Sequence, residues 1–143
     1  RRPSAAPLGR QNPMEPKRQT PAALLHIQRE LVAREPIFHR PEHGTTREVF
    51  KAMTAEEFWE VGASGRRYDR EHVLDMLEQR YSAPHENKWE TEGFYCQRVA
   101  PDNYLLTYTL RQAERVTRRS TLWRKTPHGR VIVYHQGTVV EQE

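Results

Sequence analysis

The fold is decided by the stretch Ser120-Thr-Leu-Trp-Arg-Lys-Thr-Pro-His-Gly-Arg-Val-Ile-Val-Tyr-His-Gln-Gly-Thr138, which predicts a β-hairpin with its turn at residues 127–129. Alternation along the second strand sends Val131, Val133 and His135 to one face. It sends Ile132, Tyr134 and Gln136 to the other face. Because both faces carry apolar side chains, each needs a cover. We expect helices on one side of the sheet and a second copy of the protein on the other.

The hairpin is the end of a longer run of strands. Apolar residues alternate with polar ones over residues 89–99, 104–112, 115–125 and 130–140, and short turn sequences separate the four segments. Consecutive strands joined by short turns predict an antiparallel meander. A first strand is predicted earlier, at residues 58–61.

Helical patterns come before the meander. Thr20-Pro21 predicts the start of a first helix, which Pro36 should end or kink. Thr45 with Glu48 predicts a capping box for a short second helix, and Thr54 repeats the signature with Glu57. Asp69 should cap a third helix that buries Val73 and Leu77. Helices followed by a strongly bent sheet predict an α+β fold with the helices on the concave side.

Length and composition fit one domain. A chain of 143 residues buries a substantial core without needing disulfides or metals. Cys96 is the only cysteine, which excludes an intramolecular disulfide and any metal motif built on cysteines. No apolar run reaches membrane-spanning length. We expect a cytoplasmic protein with no membrane partner.

Positive charge is concentrated at the N-terminus. Residues 1–20 carry five basic residues and one acidic residue, so they account for the whole net charge of +4. They also contain four prolines and show no apolar periodicity. We expect residues 1–20 to be a disordered or loosely attached tail, followed by a single domain over residues 21–143.

Three motifs in order resemble one known superfamily. Residues 61–73 (VGASGRRYDREHV), 120–124 (STLWR) and 134–138 (YHQGT) are similar to the nuclear transport factor 2-like superfamily. Within it, they resemble a bacterial branch of unknown function that is related to the SnoaL-like and ketosteroid isomerase-like families. The similarity covers about residues 22–140.

The resemblance implies an architecture and a place for a site. It implies a cone-shaped, curved antiparallel sheet wrapped around the N-terminal helices, with a pocket opening between them. It also implies a homodimer formed through the outer face of the sheet. If the face that carries His135 is the concave one, we expect the pocket to be lined by Trp59, Tyr108, Trp123 and His135 and to suit a small, partly apolar ligand. Which strand face lines the pocket stays open.

An isomerase needs a carboxylate base and an oxyanion donor in an apolar pocket. The three aspartates are explained locally as a helix cap, a helix surface residue and a turn residue, and the first helix carries no tyrosine. Glu60 is the carboxylate of the predicted first strand, and we interpret it as solvated. No full catalytic set is therefore evident.

His135 is the candidate catalytic residue, since histidine exchanges a proton near neutral pH. Three functions stay open. The chain binds a small ligand without catalysis, or it is an isomerase, cyclase or dehydratase that uses His135 as general acid or base, or it is a non-catalytic dimerisation module. A purely structural His135, hydrogen-bonded to a neighbouring strand or helix, is the competing interpretation. No cofactor is expected.

We expect neither a metal site nor a nucleic-acid-binding surface. Residues His39 to His43 match the H-x-x-E-H zinc pattern, but Pro41 at the centre is incompatible with the regular helix this pattern needs, so we expect no metal. A basic run between Arg111 and Arg130 could suggest nucleic acid. Strand alternation divides it between two faces, which argues against a phosphate track. Arg119 of this run, near the pocket mouth, could favour an acidic ligand.

Overall fold

The computed structural model of the protein describes residues 14–83, 88–113 and 115–141. These residues form three helices and six strands: α1 (Leu25–Val32), α2 (Arg47–Met53), β1 (Thr54–Val61), β2 (Arg67–Asp69), α3 (Arg70–Arg80), β3 (Glu90–Ala100), β4 (Asn103–Gln112), β5 (Arg115–Thr126) and β6 (Gly129–Val139). Short 3₁₀ turns precede α1 and follow it. No helix in these ranges combines the length and the apolar character needed to cross a membrane.

The strands form one curved sheet in the order β2-β1-β6-β5-β4-β3. The antiparallel meander of the last four strands is confirmed, with ends within one residue or two of those predicted. The sheet as a whole is mixed, because β1 runs parallel to β6. The α+β fold with helices preceding a curved sheet is confirmed. The three-residue strand β2, which pairs with β1, was not predicted.

Helix starts were predicted with mixed success. Asp69 caps α3 as expected, its carboxylate accepting a hydrogen bond from the His72 backbone N–H at 2.9 Å. The predicted cap of α2 was wrong by one residue, since the Thr46 hydroxyl accepts from the Val49 N–H. Thr54 begins β1 and not a helix. Its hydroxyl donates to the Phe50 carbonyl at 2.9 Å, closing the end of α2.

The first helix begins later than predicted. A 3₁₀ turn at Ala22–Leu24 precedes α1, and Thr20 makes no capping bond. The Thr20 hydroxyl instead accepts a hydrogen bond from the Cys96 backbone N–H at 3.0 Å and so fixes the chain to β3. Residues 1–13 of the predicted tail lie outside the described residues.

A β-bulge in β6 changes which side chains point inward. Trp123 pairs with Ile132, whereas Leu122 pairs with Tyr134, so Val133 has no partner in β5. The extra residue shifts the alternation by one. Ile132 and His135 consequently lie on the same buried, concave face, and the predicted grouping of His135 with Val131 and Val133 was wrong.

The core lies between the helices and the concave face. Alternate residues of β4 and β5 point inward, and most of them are buried. They pack against α1, α3 and the 3₁₀ turn that holds Ile37 and Phe38. The inner residues of these two strands are Tyr104, Leu106, Tyr108, Leu110, Thr117, Arg119, Thr121 and Trp123. Two polar members of this set, Tyr108 and Arg119, line the pocket described below.

Candidate functional site

A partly enclosed pocket lies between the concave face of the sheet, α3 and the segment after α1, with a cavity volume of about 70 Å³. That volume is several times what one water molecule requires. One wall is mostly apolar and comes from the helical layer: Ile37, Phe38, Val73, Met76 and Leu77, with His39 and Arg80 as its polar members. The opposite wall is polar and comes mainly from the sheet: Glu35, Glu60, Tyr108, Arg119 and His135.

Sheet register explains why these polar residues meet. His135 on β6 is directly opposite Glu60 on the parallel strand β1 and Thr121 on the antiparallel strand β5. Residues opposite one another on neighbouring strands point to the same face. The inner position of Glu60 follows from its spacing of two from the buried Phe58. The three side chains thus form one row across the concave face.

The His135 imidazole has a polar group on each side. Its Nδ1 lies 3.6 Å from Oε1 of Glu60, an electrostatic contact that is longer than a hydrogen bond. Its Nε2 lies 3.5 Å from Nη1 of Arg119. A guanidinium can only donate, so Nε2 accepts from Arg119 only when that nitrogen carries no proton. Only 9% of the His135 side chain is exposed.

Hydrogen bonding around His135 is incomplete. His135 Nδ1 and Thr121 Oγ1 are buried, and neither makes a hydrogen bond within the described parts of the chain. Buried polar atoms in proteins are nearly all satisfied, and the exceptions often occur at functional sites. His135 therefore differs from an ordinary structural histidine, whose two ring nitrogens would both be hydrogen-bonded.

Glu35 is the most buried of the charged residues that line the pocket, with 1% of its surface exposed. One carboxylate oxygen accepts hydrogen bonds from the Tyr108 hydroxyl at 2.9 Å and the Ile37 N–H at 3.2 Å. The other accepts from Nε1 of Trp123 at 3.1 Å. Three donors at one buried carboxylate compensate for much of the cost of removing its charge from water.

Tyr108 is held in its neutral, donating form. Burial raises the pKa of its hydroxyl well above the ordinary value, and the adjacent negative charge of Glu35 raises it further. The hydroxyl is therefore a hydrogen-bond donor to Glu35 across the range in which the protein would work.

Arg119 is placed at the pocket wall by β5. Its Nε donates to the Thr117 hydroxyl at 2.9 Å. Burial lowers the pKa of its guanidinium, because the charged form loses hydration. Gly137 on β6 gives it space, since a Cβ there would lie 3.3 Å from the Arg119 Nε.

The four residues predicted to line the pocket do not all reach it. Tyr108 and His135 line it. Trp123 is fully buried behind the wall and contributes its N–H to Glu35. Trp59 lies on the outer face, 43% exposed, with its ring 4.6 Å from that of Tyr134. Alternation along β1 separates Trp59 from the inward-pointing Phe58 and Glu60.

Two pocket residues were missed or misread. Glu60 was interpreted as solvated, yet its side chain is 14% exposed and faces His135. Glu35 was not considered. The available signal was its position four residues after Leu31, which itself follows Ile27 by four, so that a carboxylate continues the apolar stripe of the first helix.

Metal binding finds no support in the described ranges. They contain no group of three or more histidine, cysteine, aspartate or glutamate side chains that could hold a metal ion. The H-x-x-E-H segment lies in two 3₁₀ turns, Ile37–His39 and Pro41–His43, and not in a regular helix. What the pocket offers is a histidine beside a carboxylate, a guanidinium and a tyrosine-bound carboxylate, all facing a mostly apolar wall.

Comparison of this chain with known proteins finds matches among solved structures. No protein-family model matches it, and no curated protein matches it. Solved structures do match, including a nuclear transport factor 2-like protein of unknown function from Silicibacter pomeroyi. Its TM-score is 0.59 at 17% identity, and the match covers 80% of this chain and 96% of that chain.

Two other matching structures carry more specific names. A protein from Parabacteroides distasonis, provisionally named a ketosteroid isomerase, matches with a TM-score of 0.62 at 13% identity over 87% of this chain and 96% of that one. A protein from Exiguobacterium sibiricum, provisionally named a calcium/calmodulin-dependent kinase II association domain, matches with 0.59 at 18% identity over 91% and 99%. The chain has the nuclear transport factor 2-like fold, as the sequence resemblance implied.

Replacing Glu35 with glutamine should destabilise the fold. An amide has one acceptor oxygen, so its NH₂ group would face either the Trp123 N–H or the donors of Tyr108 and Ile37. We expect E35Q to lower the free energy of unfolding by about 1–3 kcal/mol, measured by urea denaturation. The control is E42Q, at an exposed glutamate of the same segment. Equal stability of the two variants would contradict the role given to Glu35.

Proposed function

We propose that the chain binds a small, partly apolar organic molecule in the pocket and acts as a homodimer. The observation that supports binding is the division of the pocket into a mostly apolar helical wall, whose polar members are His39 and Arg80, and a polar sheet wall. Small-molecule sites commonly combine apolar surface with a few convergent polar groups in this way. A structural core would instead pair its polar atoms, and here His135 Nδ1 and Thr121 Oγ1 are left without partners in the described residues.

Blocking the pocket should abolish binding. Leu77 lines the pocket from α3, whereas the next residue, Glu78, is exposed. We expect L77W to fill the cavity and E78W to leave it open. Ligand can be detected by native mass spectrometry of the purified protein and by saturable NMR shifts in a screen of small organic fragments. Binding should occur in wild type and E78W and be lost in L77W.

Two results would contradict the proposal that a ligand binds in the pocket. Wild-type protein that carries no small molecule and gives no saturable shift with any fragment would contradict it. Equal binding by wild type and a folded L77W variant would place the ligand elsewhere.

A second function, general acid–base catalysis, is favoured by the contact between His135 and Glu60. A carboxylate beside Nδ1 orients the ring, which leaves Nε2, now 3.5 Å from Arg119 Nη1, as the nitrogen that would take a proton from a substrate. Isomerase, cyclase and dehydratase reactions on carbonyl compounds share proton removal next to a carbonyl. The structural neighbour named as a ketosteroid isomerase is compatible with this class.

Proton exchange tests this alternative without knowledge of the substrate. Wild-type protein in D₂O should speed hydrogen–deuterium exchange in at least one member of a panel of enolisable ketones and β-hydroxy ketones, followed by NMR. H135A and E60Q should each reduce that exchange by at least about 100-fold. H72A, which changes an exposed histidine of α3, should not. Exchange at the buffer rate with wild type would reject the enzyme reading.

The dimer is proposed on the outer face of the sheet. Register places Leu105, Leu122, Tyr134 and Trp59 side by side across four strands. Such a row of partly exposed apolar residues is a suitable centre for an isologous interface. The neighbour named as an association domain has the same fold. The buried free Cys96 is compatible with the cytoplasmic setting we propose for this dimer.

A charged residue among the apolar residues of the outer sheet face should separate the subunits. We expect wild type to have the mass of a dimer at micromolar concentration in light scattering and L122E to have the mass of a monomer. The matched control is L25E, at a leucine of α1 that is 46% exposed and lies on the helical layer. A monomeric wild type, or dimers in both variants, would contradict the proposed interface.

A further inference from the structure

We propose that the ligand of this pocket is a small monocarboxylate whose carboxylate binds the Arg119 guanidinium while its apolar part packs against the helical wall. This inference rests on the proposed binding function and adds the chemical class of the ligand. It follows from the pairing of Arg119, its fixed orientation and the charges that surround the cavity.

Arg119 lacks the carboxylate partner that several other arginines of the fold have, and it points into the pocket from the sheet, whereas Arg80, the other lining arginine, donates through Nη1 to the Phe38 carbonyl at 3.3 Å. Carboxylate oxygens lie within 4.0 Å of Arg40, Arg47, Arg111, Arg124 and Arg130. Arg119 has no carboxylate oxygen within that distance in residues 14–83, 88–113 and 115–141. It is nevertheless more buried than exposed and lines the pocket. A cation without an ionic partner in a partly desolvated position is a suitable binding group for an anion.

The guanidinium is held in a defined orientation. Its Nε is bound to the Thr117 hydroxyl, and Nη1 lies beside His135. Gly137, opposite Arg119 on β6, allows the side chain to lie directly against the strand. Within the described residues Nη2 makes no hydrogen bond, so it is available to a ligand. A group that is already oriented loses little conformational entropy on binding.

The charges around the cavity favour a single negative charge on the ligand. Two carboxylates, Glu35 and Glu60, line the pocket, and so do two arginines, Arg119 of the sheet and Arg80 at the end of α3. Glu35 is occupied by three donors and Glu60 faces His135, so neither competes directly for Arg119. Because the two arginines offset the two carboxylates, a monoanion adds one negative charge to the cavity, whereas a phosphate dianion would add two and would be repelled more strongly by Glu35 and Glu60.

Geometry and surface favour a carboxylate with an apolar substituent. A planar carboxylate can accept from two N–H groups of a guanidinium. Phe38, Val73 and Leu77 on the opposite wall provide apolar contact for the remainder of the molecule. The lowered pKa of Arg119 shows that burial already disfavours its charge, and a bound anion would offset that cost.

Matched pairs of carboxylates and amides test the inference. Benzoate with benzamide, and isovalerate with isovaleramide, share shape and differ in charge. Protein-observed NMR titration of the wild type should give affinities at least about ten-fold tighter for each carboxylate than for its amide. Inorganic phosphate should bind more weakly than either carboxylate. Shifts at Arg119 and His135 would locate the anion.

Two arginines on the same strand provide the variant and its control. R119Q should lose the preference for carboxylate over amide. R118Q removes the same charge from the outer face, where Arg118 contacts Thr109, and should retain the preference. The wild-type comparison alone remains decisive if R119Q fails to fold.

Three results would overturn the inference. They are equal binding of amides and carboxylates by wild type, equal loss in R118Q and R119Q, and no saturable binding of either carboxylate at about 10 mM. If amides bind as tightly as carboxylates and L77W blocks both, the pocket-binding proposal is supported. The inference that the ligand is an anion is then wrong. Failure of pocket binding itself would show separately, in the fragment screen and native mass spectrometry.

Discussion

The buried carboxylate of Glu35 connects the helical layer to the sheet, and the shape of the pocket depends on this connection. Its three donors come from the adjacent turn, from β4 and from β5, so residues separated by 73 and 88 positions in sequence meet at one group. Most of the remaining contact between the layers is apolar and non-directional. Hydrogen bonds to a carboxylate are directional, and these fix where the segment after α1 lies above the sheet.

The polar groups of the pocket differ in how completely they are hydrogen-bonded. At the deep end, the three donors to Glu35 make a closed network that fits the rigid core. Nearer the mouth, Arg119, His135 and Glu60 are separated by 3.5 and 3.6 Å, distances that leave attraction without strong hydrogen bonds. A closed network at the base and a loose one above it is an arrangement that supports a site, because the base gives precision and the loose groups can bind a ligand.

Much of the fold was readable from the sequence, because strand and helix periods are local properties. The four meander strands and the Asp69 cap depend on residues close in the chain, and they were predicted well. The site was harder. Val133 breaks the alternation through a bulge that only the pairing with β5 reveals. Glu35 was hidden because its donors are distant in sequence, and Trp59 was misplaced because the inner face of β1 depends on the neighbouring strand β6.

The bulge at Val133 gives β6 two functions within one strand. A strand of even alternation would present Val133 and His135 together and would turn Ile132 and Tyr134 the other way. With one unpaired residue, the same strand instead supplies Ile132 and His135 to the interior and Tyr134 to the outer row. One extra residue in β6 therefore decides which side chains reach the interior site and which reach the outer surface. A relative whose last strand is shorter by one residue would exchange these surfaces, so residues aligned by number alone would not occupy equivalent places in the two proteins.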